Sequence, residues 1–342
     1  MERRQVLTAL GGTAVTLSIA GCLDDSDTGS TPNDSDTGQS GTDDESTDDE
    51  TGGESAELIE SSDRTLGEAA DEFEEALDEA DDPMSESYAI ETAPINARID
   101  DAESDLEDAR DGATDNQLET IHALEDTADF FRDFVGAISA VSDAFDEFEV
   151  WEQYLDQGRW DDAVDAAAQA SAYNDEAKDS VTVAQSTFDD IDTAALEDVD
   201  EIDRVELETD LKEIDETLAV LDVFFTGCEQ LTKAMIPLES GADALEREDF
   251  TTASDEFSSA AGKFDIAYTT FNDAEDDAPA AFRADLIDLS CQMEAFSDAA
   301  DYYSRGADAY ASGNFAEGDE HFEAGETAES RCENDDVAFG LR

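Results

Sequence analysis

The side chains with most chemistry to offer are two histidines, His122 and His321, and four cysteines, Cys22, Cys228, Cys291 and Cys332. Glu119-x-x-His122-x-x-Glu125 puts three potential metal ligands on successive turns of one helical face. A carboxylate-bridged dinuclear centre needs a Glu-x-x-His from each of two helices, and the residue three before His321 is Gly318. In a chain this acidic, a glutamate three residues from a histidine arises by chance. The expectation is therefore a partly exposed, charge-paired His122, with metal ligation by Glu119, His122 and Glu125 as the alternative. His321, beside Glu320, is expected on the surface. Nucleophilic catalysis has no residue set. There is no Gly-x-Ser-x-Gly elbow and no phosphate-cradling glycine loop, and two histidines in acidic surroundings give no Ser-His-Asp grouping. Carboxylate pairs occur everywhere and so carry no information about acid–base work. Neither an enzymatic activity nor a cofactor is expected.

The His-x-x-Glu half of the trio resembles the motif of imelysin-like helical proteins, with Thr120 where that family carries a glycine. The resemblance implies a helical, exported, ligand- or metal-binding protein.

The first twenty-two residues supply a different kind of chemistry. Arg3 and Arg4 precede an uncharged run from Val6 to Ala20, and Ile19-Ala20-Gly21-Cys22 closes it. Paired arginines before a short apolar core make a secretory signal of the twin-arginine type. The run is too short and too rich in Gly and Thr to span a bilayer about 30 Å thick. Small residues directly before a cysteine resemble the lipobox of bacterial and archaeal lipoproteins. That resemblance implies cleavage after residue 21 and a lipid on the Cys22 sulfur, which ties the mature chain to a membrane.

The chain has 95 acidic and 17 basic residues, a formal charge of −78, and only four of the bases are lysines. Charge this dense opposes compaction in dilute buffer, whereas molar salt shortens the screening length to about 3 Å and removes most of the cost. Scarce lysine and abundant aspartate behind such a signal resemble the exported proteins of haloarchaea. That resemblance implies a halophilic source and a place outside the cytoplasmic membrane. No basic patch exists to bind nucleic acid.

After residues 1–21, residues 22–55 read as an acidic linker. Positions 23–55 hold twelve acids, no base and almost no apolar side chain, so nothing offsets the entropy of ordering. Asn33-Asp34-Ser35 is a candidate glycosylation site. Asp-Ser-Asp-Thr-Gly occurs twice, at 25–29 and 34–38, but its glycine comes one position early for a calcium loop.

Residues 56–342 read as all-α, a bundle or array of about eight long antiparallel helices, with sub-boundaries near 113 and 195. The apolar spacing is helical throughout, as in Leu66, Ala70, Phe73 and Leu77, or Phe250, Ala253, Phe257, Ala260 and Phe264. Thr114-x-x-Gln117 is a capping box. Pro237 is expected to bend or break the fifth helix. Seams this long require a neighbour along each helix, and alanine sharing them with phenylalanine implies close backbone approach.

Three inter-helix junctions look alike: Tyr154 to Ala163 around Gly158 and Trp160, Leu245 to Ala253 around Phe250, and Tyr310 to Gly318 around Gly313 and Phe315. Their aromatic anchors lie 90 and 65 residues apart. The spacing Tyr-x-x-x-Gly-x-aromatic-x-x-Ala resembles the turn of tetratricopeptide repeats, although the helices exceed that family's unit and its closing proline is missing. The resemblance implies hairpins whose groove contacts a protein. If the last two helices fold back at Ser312, Cys291 lies 21 residues before the turn and Cys332 lies 20 after it, which matches their heights and predicts a bond. Cys228, on a main seam, is then a buried thiol. The functional expectation is a lipid-anchored, non-catalytic interaction module at the surface of a halophile, bound to the membrane through Cys22 and to a protein partner there.

Overall fold

The computed structural model describes residues 51–80, 91–191, 204–276 and 278–332. Arg3, Arg4, Cys22, Asn33 and both aspartate-rich pentads lie outside the described residues. Eight α-helices follow one another: α1 (Thr51–Ala80), α2 (Thr92–Ala109), α3 (Asp115–Asp156), α4 (Trp160–Asp190), α5 (Arg204–Glu246), α6 (Phe250–Ala274), α7 (Ala280–Ala311) and α8 (Phe315–Glu329). A short 3₁₀ turn, Ser330–Cys332, follows α8, and no strand occurs among the described residues.

Each helix packs on the next in sequence. The odd-numbered helices also meet one another. Phe73 of α1 lies edge-on to Phe134 of α3, with ring centroids 5.5 Å apart. Phe148 of α3 meets Phe224 of α5 at 5.1 Å, and α5 touches α7. The result is a stack of antiparallel hairpins. One buried cluster runs from Leu66 to Ala300 and crosses positions 113 and 195 unbroken.

The boundaries follow local chemistry. Thr114 and Gln117 cap α3 reciprocally: the Gln117 N–H donates to the threonine hydroxyl, and the Thr114 N–H donates to the glutamine amide oxygen at 2.9 Å. Helix α1 begins at Thr51, five residues inside the stretch expected to be linker. Pro237 does not end α5, which runs through it to Glu246. The proline is buried, and buried Ala234, Gly241 and Ala244 hold the helix on both sides, which offsets the backbone hydrogen bond it cannot donate.

The hairpins α3–α4 and α5–α6 are equivalent at an offset of 90 residues. Buried Ile121, Leu124, Thr127, Phe131, Phe134, Val141, Ser142 and Ala144 of α3 correspond to buried Leu211, Ile214, Thr217, Leu221, Phe224, Leu231, Thr232 and Ala234 of α5. Ala163, Ala170, Ala177 and Val181 of α4 correspond to Ala253, Ala260, Ala267 and Phe271 of α6. Their turns share one hydrogen-bond pattern: Arg159 N donates to Tyr154 O at 2.9 Å, and Asp249 N to Ala244 O at 2.9 Å. The α7–α8 turn repeats it, with Asn314 N donating to Ala309 O at 2.8 Å. The left-handed position is Gly158, Glu248 and Gly313 in turn. The equivalent of Tyr154 is therefore Ala309, not Tyr310, which explains why the step from Tyr310 to Gly313 is one residue short.

Candidate functional site

The Glu119, His122 and Glu125 trio occupies the first turns of α3. His122 is 66 % exposed at its side chain, and its Nδ1 stands 3.5 Å from Glu125 Oε2. The same carboxylate oxygen receives the Arg110 guanidinium from the C-terminal end of α2. Glu119 faces solvent. Among the described residues, no group of three or more His, Cys, Asp or Glu side chains is placed to hold a metal ion. The trio thus lies along an exposed edge, and its best oxygen donor is committed to an arginine that ties α2 to α3. His321 is half-buried instead of standing free on the surface, because α8 lays it beside Tyr302, with ring centroids 6.4 Å apart.

Cys291 of α7 and Cys332 are disulfide-bonded, with Cα atoms 5.9 Å apart. Arg331 lies alongside, bridging Glu294 at 3.2 Å and Asp298 at 2.9 Å, so a covalent and an ionic tie hold the chain's last described turn to α7. Cys228 is a buried free thiol on α5, and burial pushes its pKa well up, which leaves it protonated and unreactive.

Several basic side chains tie neighbouring helices together. Arg98 of α2 reaches Glu68 and Glu72 of α1, and Arg132 of α3 reaches Asp100 and Glu103 of α2. Lys178 of α4 stands 3.4 Å from Asp222 of α5. Unbalanced carboxylates crowd elsewhere. Asp126 and Asp133 of α3 are held above the ordinary carboxylate range, first by burial and then by Asp129 between them.

Two grooves open between neighbouring helices, and neither was foreseen from sequence. The first, about 440 Å³, lies over α3 between α2 and α4. Its floor contains Gly136, Ser139 and Ala140, and Asp100, Arg132 and Asp143 contribute polar walls. The second, about 390 Å³, lies between α5 and α6 where the chain turns toward α7. It is lined by Ala219, Val220, Val223, Ala274 and Ala278, with Glu216, Thr270 and Asp273 at the margins. Ala219 and Val223 sit off the main seam of α5 at a spacing of four. That secondary stripe was the available signal, but only the packing of α5 against α6 and the turn after it makes it a cavity.

The fold defines a stacked all-α hairpin array with grooves between its helices, and among the described residues no cluster of ligating side chains is placed to hold a metal ion. No family model matches the chain, and neither a curated protein nor a solved structure shows detectable similarity to it. Among the described residues no helix is long and apolar enough to cross a membrane.

Proposed function

We propose that the protein is a lipid-anchored interaction module, held outside the cytoplasmic membrane of a halophile and binding a protein partner through its hairpin array. The observation that carries this reading is the architecture itself. Stacked hairpins leave a groove over α3 and another between α5 and α6, and extended arrays of stacked helical hairpins offer surfaces suited to peptides and protein segments. The terminal sequence supplies the address: Arg3 and Arg4 for export, Cys22 for lipid, and residues 23–50 as a tether. The acidic surface is a solvation layer for concentrated salt, and it disfavours nucleic acid. Tetratricopeptide-like use of the hairpin grooves is part of the same reading.

Two measurements test it. Mass spectrometry of the natively processed protein is expected to find a diacylglyceryl group on an N-terminal Cys22. An unmodified cysteine there would remove the anchor. Chemical cross-linking of membranes in molar KCl, read by mass spectrometry on the full chain, is expected to give partner adducts confined to one or two helix faces. Recovery of the chain alone, or adducts spread evenly over its surface, would contradict the interaction role.

A further inference from the structure

The α5–α6 groove exists because two rings are missing from it. At the equivalent place in the α3–α4 hairpin, Phe130 and Phe188 fill the space between the helices with ring centroids 5.7 Å apart. Ninety residues on in sequence stand Val220 of α5 and Ala278, which lies in the turn just past the end of α6, and both line the groove. The flanking positions change in the same sense. Asp129 and Asp133 of α3 become Ala219 and Val223 of α5, so the α5 wall of the groove is apolar where the sister hairpin carries two acids, while Glu216 and Asp273 remain at its margins. In a chain with 95 acids this is a local reversal of the surface rule. Smaller side chains at the internal positions and two apolar residues in place of acids on the α5 wall accompany a cavity of about 390 Å³, within the usual size of ligand pockets.

The sister hairpin also shows what fits. A pair of close-packed phenyl rings satisfies this geometry, so the occupant is an aromatic side chain brought in from outside. Asp273 at the margin is exposed, and Glu216 stands beside it with Lys212 2.7 Å away. A segment with carboxylates next to its aromatic residue would meet like charge, whereas one with lysine or arginine would not. We infer that the α5–α6 groove is a docking site for a partner segment that inserts phenylalanine into the space between Val220 and Ala278, flanked by basic residues. This inference rests on the interaction reading above and names its contact surface.

The test uses the full chain in molar KCl and two fluorescein-labelled peptides. One carries two phenylalanines between lysines, and in the other alanine replaces both phenylalanines. Fluorescence anisotropy is expected to show at least tenfold tighter binding of the phenylalanine peptide. The double variant Val220→Phe/Ala278→Phe restores the sister hairpin's rings, so it should fold with an unchanged circular dichroism spectrum and lose that tenfold preference. Ala219→Asp/Val223→Asp, which restores the sister's charges, should weaken binding in the same direction. Equal binding of both peptides by the parent chain, or undiminished binding by the ring-filled variant, overturns the assignment. In the second case the interaction role stands and its surface lies elsewhere. Binding that emerges only after truncation beyond Cys332 would give the groove to residues 333–342 of the chain. Self-association abolished by ring filling would give it to a second copy. Either outcome also overturns the proposal.

Discussion

Glu248 is the one non-glycine residue among those described that adopts positive φ, at 58°. It occupies the turn position filled by Gly158 and Gly313 in the two equivalent hairpins, with φ of 65° and 79°. A Cβ in the left-handed region crowds the following carbonyl, at a cost of about 1 kcal/mol relative to glycine. Glu248→Gly is therefore expected to raise stability by about 0.5–1 kcal/mol, visible as an increased midpoint in chemical denaturation. An unchanged midpoint would mean the turn is not held in this conformation. The opposite prediction applies where glycine permits contact. A Cβ built at Gly227 of α5 would overlap the Phe271 ring of α6, and one at Gly318 would overlap Tyr310. Gly227→Ala should destabilise by about 1–3 kcal/mol through overpacking, while the same change at solvent-facing Gly262, where a Cβ meets nothing, should be neutral or slightly stabilising. Equal effects at both sites would show that the ring does not rest on the Gly227 backbone.

The elements themselves were largely legible from spacing. The buried faces of α6 and α7 are the ones their phenylalanine, leucine and alanine periodicity predicts, and the capping box at Thr114 marks the start of α3. Continuity through Pro237 was not legible, because a local rule about one residue was overruled by burial on both sides of it. Polar pins between helices were also hidden, since serine, threonine and asparagine on a seam look like interruptions. Ser62 of α1 donates to Ala102 O of α2 at 3.1 Å, and Asn174 of α4 donates to Leu218 O of α5 at 3.1 Å. Ser297 of α7 donates to Ala261 O of α6 at 3.0 Å. Each fixes the height of one helix against its neighbour. The longest-range pin is the Trp151 indole N–H of α3, which donates to Thr232 Oγ1 of α5 at 2.8 Å. The same hydroxyl donates in turn to Cys228 O at 2.8 Å. Thr232→Val keeps the volume but strands a buried N–H, so it should cost about 1–3 kcal/mol. Pairing it with Trp151→Phe should recover part of that loss, and strict additivity in the double-mutant cycle would deny the coupling.

At the scale of the whole molecule the governing fact is charge of one sign. Four carboxylates among the described residues, Asp63, Asp126, Asp133 and Glu152, are held above their ordinary range by burial first and by neighbouring acids second. Glu60 acts on Asp63, Asp129 on both Asp126 and Asp133, and Glu149 on Glu152. A carboxylate with a raised pKa keeps its proton more tightly in the folded chain than in the unfolded one. Between its ordinary value and its raised value the folded state binds more protons, so stability falls as pH rises and grows as pH is lowered. The contribution is fully present below the unfolded pKa of about 4 and is lost as pH climbs through the folded value. In dilute buffer, lowering the pH towards the unfolded carboxylate value of about 4 is therefore expected to raise the unfolding temperature, contrary to the usual acid denaturation of proteins whose carboxylates are paired. Molar KCl should raise stability at pH 7 and flatten the slope, because it screens the acid–acid repulsion while leaving the desolvation of partly buried Asp63 in place. Asp133→Asn should reduce the slope as well, since it removes one of the raised groups. Thermal unfolding followed by circular dichroism across this pH range, at low and at molar salt, separates the two causes. A slope of the opposite sign at low salt would mean that inter-helix ties such as Arg98 to Glu72 and Arg132 to Glu103, not repulsion, govern this array's response to protons.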